Sequence, residues 1–145
     1  MSELAKLNES DGVRGQVTAL RDGNVALYSS ILADTFEGKK QTLNAITNSV
    51  AIADHLGATI NLANIVVQVV EMVDEKSGEM TDQPRVILVD ADGTAYHAIS
   101  SGILKSVENT IGMLGEPSTW PEPVPIQVAE ERGRNGFRYY TIKFL

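Results

Sequence analysis

The chain contains no cysteine. Disulfides, thiol catalysis and cysteine-ligated metals are thereby excluded, and such a sequence is at home in a reducing cytoplasm. Positive charge is scarce. Lys and Arg number 12 against 19 Asp and Glu, giving a net charge of −7 and a pI near 4.7. Phosphate affinity comes from Lys and Arg, so this balance argues against coating duplex DNA through bulk positive charge, though it leaves room for a local basic groove. The opening MSELAKLNESDG has no apolar h-region, and no stretch approaches membrane-spanning length. A cytoplasmic protein with no membrane partner is expected. Internal repeats and low-complexity tracts are absent as well.

Catalytic signatures are also missing. There is no EF-hand spacing, P-loop, G-x-S-x-G or Rossmann fingerprint. The two histidines, His55 and His97, are far apart in sequence with no obvious carboxylate partner. Asp90 and Asp92 alternate just ahead of Gly93, a pattern that serves a turn better than a metal. RGRNG lacks the strand–loop–helix setting of a phosphate cradle. No catalytic set, metal site or cofactor is expected.

What remains is an ordinary globular composition: 145 residues, 43% hydrophobic and 21% charged. Residues 1–12 read as a loose polar segment, and 13–145 as one domain with a single core. Val17 to Leu20 and Val25 to Leu32 are short β-leaning runs around an Asp22-Gly23 turn. KKQTLNAIT is read as a strand, and SVAIADHLG as a helical turn stopped by Gly57. The valine-rich run Ile65 to Val73 favours a strand. DEKSGEMTDQP then reverses the chain into the strand RVILVD, and Asp92-Gly93 turns it again, giving a three-strand meander.

The period then changes. Ile103, Leu104, Val107, Ile111 and Leu114 recur at helical spacing over about residues 101–114. Ser100 or Ser101 can cap the start, and Gly115 and Pro117 end it. STWPEPVP is a stiffened connector, in which Trp120 is better suited to pinning the chain to the body than to stacking on a base. PIQVAE and GFRYYTIKFL form a last hairpin. A helix lodged between the third and fourth strands is the order of an oligonucleotide-binding (OB) fold. The expected class is mainly β, a five- or six-stranded OB-like barrel with one main helix.

The last hairpin carries the functional argument. Strand side chains alternate, so Tyr140, Ile142 and Phe144 share one face, with Ile126 and Val128 opposite, as core. Phe137, Tyr139, Thr141 and Lys143 share the other. Two rings, a hydroxyl and a cation form an odd face for water and a natural one for unpaired bases, which stack on aromatic rings. Arg132, Arg134 and Arg138 would neutralise phosphates beside it. Arg85 and Tyr96 are candidates to extend the surface, although Tyr96 suits the core equally. Tyr28, Phe36, Lys39 and Lys40 surround the presumed first turn, where an OB fold has its other clasping loop. The competing reading is that Phe137 and Tyr139 cover a small cluster under the N-terminal segment and the arginines keep a loop soluble.

PRVILVDADGTAYHAIS, GILKSVENTIGMLGEPSTWPEP and PIQVAEERGRNGFRYYTIKFL together resemble the small single-stranded DNA-binding proteins encoded by tailed bacteriophages, over about residues 60–145. The resemblance implies an OB fold that binds single-stranded DNA without chemistry during phage replication. Phage replication proteins and a homo-oligomer stay open as further partners. Cellular single-strand binders end in a flexible acidic tail, whereas this sequence closes on YTIKFL, which puts recruitment by that route in doubt. The alternative class is a structural or adaptor protein, such as a virion component, assembling through edge strands.

Overall fold

The computed structural model describes residues 27–31 and 35–145. The expected strand Val17 to Leu20, the Asp22-Gly23 turn and the loose segment 1–12 lie outside these residues. Within them the chain forms β1 (Leu27–Ser29), α1 (Phe36–Thr47), β2 (Val50–Ala51), a 3-10 turn (Ile52–His55), β3 (Ile60–Val73), β4 (Met80–Asp90) and β5 (Ala95–Ile99). After these come α2 (Ser101–Leu114), a second 3-10 turn (Pro117–Thr119), β6 (Val124–Arg132) and β7 (Arg138–Phe144). One sheet holds the strands in the order β2-β5-β4-β3-β6-β7, with β1 also on β3. It curls into a half-barrel, so the fold is mainly β and OB-like.

The barrel's first strand is β3. Its start pairs with β6 through Ile60↔Ile126, its middle with β1 through Tyr28↔Val67, and its length from Leu62 to Val73 with β4. Such double duty needs a break in the pleat. The register shifts between Leu62 and Asn64, and this bulge moves the inward positions from Ile60 and Leu62 to Ile65 and Val67. Ser30 serves the interruption: its Oγ accepts from Ile65 N–H at 2.8 Å and donates to Asn64 Oδ1 at 3.0 Å. β4 begins at Met80, so the reversal occupies only the residues before it, and Pro84 falls inside a strand rather than at its head. That placement is tolerated because β5 joins β4 only from Arg85 onward, leaving Pro84 with β3 alone.

α2 forms as the pattern predicts. Ser100 Oγ accepts from Ile103 N–H at 3.1 Å, and Gly115 closes the helix at φ +85°. Ile103, Leu104, Val107 and Ile111 enter the main core beside Ile65, Leu88, Ile126 and Val128, each buried side chain contributing about 1.5–3 kcal/mol. Leu114, expected to extend this stripe, is half exposed. Trp120 packs on the same core and donates from Nε1 to the Gly115 carbonyl at 3.1 Å, so it pins the connector.

KKQTLNAIT is a helix, not a strand. Thr35 caps α1 by accepting from Gly38 N–H at 3.0 Å, and the buried stripe is Gly38, Thr42 and Ala45. These residues are too small to register as an apolar stripe in sequence, yet their size lets the helix approach the sheet closely. α1 covers the outer face, where Ala45 and Ile46 meet Val66, Ile87, Val89 and Ala95. The SVAIADHLG turn is the first 3-10 element, followed by Gly57 at φ +81°.

Candidate nucleic-acid interface

β6 and β7 pair from Ile126↔Phe144 to Arg132↔Arg138. Between Arg132 and Arg138 the chain reverses sharply: Gly136 N–H donates to the Gly133 carbonyl at 3.0 Å, and Gly133 N–H to the Phe137 carbonyl at 2.8 Å. Gly136 sits at φ +81°, open to glycine without strain, and Asn135 Oδ1 accepts from Phe137 N–H. This loop leaves Arg134 and Phe137 in solvent.

The alternation read from sequence holds along most of β7. Ile142 is 8% exposed and Tyr140 packs on the core, while Phe137 and Tyr139 are 73% and 48% exposed. Thr141 shares a hydrogen bond with Ser106 of α2 at 3.3 Å. Phe144, expected inside, is instead 50% exposed although it stands opposite the buried Ile126, and it lines an apolar groove with Met113 and Leu114 of α2. Nor is β7 a bare edge, since Ile142 N–H donates to Ser106 Oγ at 3.3 Å.

Two charge relations define the hairpin. Arg132 and Arg138 stand directly opposite each other, a like-charge pair that is unfavourable in isolation and that a polyanion would relieve. Lys143 and Arg138 have acidic neighbours on β6: Lys143 Nζ lies 2.8 Å from Glu131 Oε1, and Arg138 Nη1 lies 3.2 Å from Glu130 Oε1. The bond to Glu131 holds the Lys143 ammonium above its ordinary pKa.

Beside the hairpin the barrel stays open. The ladder path ends at β7 on one side, and on the other β5 pairs with β2 instead. The gap is a groove of about 510 Å³ whose walls include Ile99, Ser100, Gly102, Arg138, Tyr139 and Tyr140. Ser100 was legible only as a helix cap, and nothing in the sequence marks Gln83, which also lines this groove.

The other predicted candidates lie elsewhere. Arg85 is held under α1: it donates to Gln68 Oε1 at 2.6 Å, Ser49 Oγ at 2.8 Å and the Ile46 carbonyl at 3.2 Å, and burial lowers its pKa. Ser49 Oγ also meets His97 Nδ1 at 2.8 Å. Tyr96 packs on the core, edge-to-face with His55 at 5.3 Å. Lys39 and Lys40 sit on α1, where Lys40 reaches Glu37 at 3.4 Å and lies 5.7 Å from the Phe36 ring centre. Tyr28 is buried in the core. Tyr28, Phe36, Lys39 and Lys40 therefore do not form a clasping loop. In this topology that loop joins β3 to β4 and carries Asp74, Glu75, Lys76 and Glu79, so of these two described loops the basic one is the closing hairpin. Asp90 and Asp92 do turn chemistry: Asp90 accepts from Asn61 and Asp92 N–H, and Asp92 from Thr94 N–H. Among the described residues, no group of three or more His, Asp or Glu side chains could hold a metal, and no helix is long and apolar enough to cross a membrane.

A half-barrel in OB order, with a helix after its third strand and an aromatic, cationic hairpin beside an open seam, has the architecture of an oligonucleotide-binding protein. A family model described as phage single-stranded DNA-binding protein matches residues 22–144, and the chain belongs to that family. The match reaches well upstream of residue 60, across α1. No curated protein and no solved structure matches the chain.

Proposed function

We propose that the protein coats single-stranded DNA without sequence preference during phage DNA replication or recombination, in the host cytoplasm and without chemistry of its own. The observation that carries this reading is the pair of exposed rings, Phe137 and Tyr139, on a hairpin with four cations. Any base offers a π-face to such a ring, at about 1–3 kcal/mol each, which suits binding that ignores sequence. Arg132, Arg134, Arg138 and Lys143 take phosphates along the same hairpin, and the seam groove beside Tyr139 gives the strand a path between β5 and β7. An overall charge of −7 supports the same division of labour, because nucleic acid is attracted only where the cations cluster.

The test is tyrosine fluorescence during titration with poly(dT), repeated over a salt series. Quenching should weaken as salt rises, with log K falling by about 0.7 per decade of salt for each phosphate neutralised. Quenching that ignores salt, or none at any salt, would overturn the reading.

A further inference from the structure

Arg138 and Lys143 are the two hairpin cations with acidic partners. Glu130 is 3.2 Å from Arg138 and Glu131 is 2.8 Å from Lys143. Arg132 and Arg134 have no acidic partner among the described residues. The two glutamates also sit where a bound strand would run. Glu131 stands directly across the ladder from Tyr139, and Glu130 lines the seam groove with Arg138. A carboxylate and a phosphate compete for the same N–H donors with similar geometry. Both ion pairs are open to solvent, with side-chain exposures of 67% and 31% in one and 55% and 38% in the other. Exposed pairs of this kind are weak enough for a phosphate to replace.

We propose that Glu130 and Glu131 are displaceable counter-ions: they occupy Arg138 and Lys143 in the free protein, and single-stranded DNA binds by exchanging its phosphates for these two carboxylates. The inference rests on the strand-binding reading above. It assigns the acids a role in setting affinity. Each carboxylate set free gathers a cation from solution as the DNA releases one, so a paired cation adds less to the salt dependence than an unpaired one. The hairpin then holds DNA less tightly than four free cations would.

The experiment is a double-mutant cycle on the full chain with poly(dT) across a sodium chloride series, using Glu131→Gln, Lys143→Gln and both together. A parallel cycle uses Glu130→Gln and Arg138→Gln. Thermal melts confirm that each variant keeps its fold. Glu131→Gln is expected to bind about two- to fivefold tighter at low salt, with a salt slope steeper by up to about 0.7. In the Lys143→Gln background the same substitution should change neither quantity. An equal gain in both backgrounds would reduce the effect to general charge and overturn the exchange, as would no gain. Weaker binding by Glu131→Gln would make the carboxylate a positioning group and also overturn it. If the wild-type chain fails to bind poly(dT), the strand-binding reading falls and the exchange with it; if it binds while the cycle is additive, only the exchange falls.

Discussion

Gly102, in the first turn of α2, lies against the backbone carbonyl of Tyr140 so closely that a methyl group in place of its hydrogen would run into that oxygen. The start of the helix and the last strand are thus in backbone contact at the open seam. The contact also explains why a glycine sits where alanine would favour the helix by about 1 kcal/mol. Gly102→Ala should therefore lower stability by about 1–3 kcal/mol despite that intrinsic gain, as overpacking does. Urea unfolding measures it, and an unchanged or higher midpoint would show that α2 is free to shift away from β7.

The two faces of β7 predict opposite phenotypes. Tyr139→Ala and Phe137→Ala should leave the melting temperature within a degree or two of wild type, because both rings are exposed. Each should weaken poly(dT) binding by about 1–3 kcal/mol. Ile142→Ala should instead lower stability by about 2–5 kcal/mol, with little change in affinity per folded molecule. If Tyr139→Ala melts the protein and spares affinity, the faces are inverted.

Arg85 is a candidate for the DNA surface by charge and a fastener by geometry. Its guanidinium spans Gln68 on β3, Ser49 and the Ile46 carbonyl near the end of α1. Arg85→Ala should destabilise the fold by about 2–3 kcal/mol, since hydrogen bonds to a charged donor are lost and their acceptors left partly buried. Affinity of the folded fraction should stay within about twofold. A steep loss of affinity with an unaltered melt would return Arg85 to the interface.

His97 makes stability depend on pH near neutrality. Burial, reinforced by the charge of Arg85, lowers its pKa below the ordinary 6.5. The unfolded chain then takes up the proton more readily than the folded one. This contribution is complete above about pH 6.5 and is lost as pH falls from there toward the folded value. Melting temperature should decline on acidification through that window, and His97→Asn should flatten the decline. A slope of equal size in the variant would assign it to other groups.

The sequence marks α2 well, from the Ser100 cap to the Gly115 stop, because a helix with large apolar residues on one stripe announces both its period and its ends. It fails at α1, where the buried stripe is Gly38, Thr42 and Ala45 while Leu43 and Phe36 face solvent. Apolar periodicity cannot report a helix whose contact surface is small by necessity. The sequence misplaces the clasping loop for a related reason: with α1 read as a strand, the barrel appears to begin before β3.

Alternation along residues 137–143 is a local property, so the separation of Tyr139 from Ile142 was set by the chain itself, as were the helix caps and the glycine-bearing turns. What β7 faces is not local. Strand register brought Glu131 opposite Tyr139 and within reach of Lys143, and set Arg132 against Arg138. Packing of α2 against Tyr140 and Ile142 of β7, through Gly102 and Ser106, accompanied a seam left open beside those rings. Pairings between residues distant in sequence depend on how strands align and helices dock, and no single stretch of the chain encodes that.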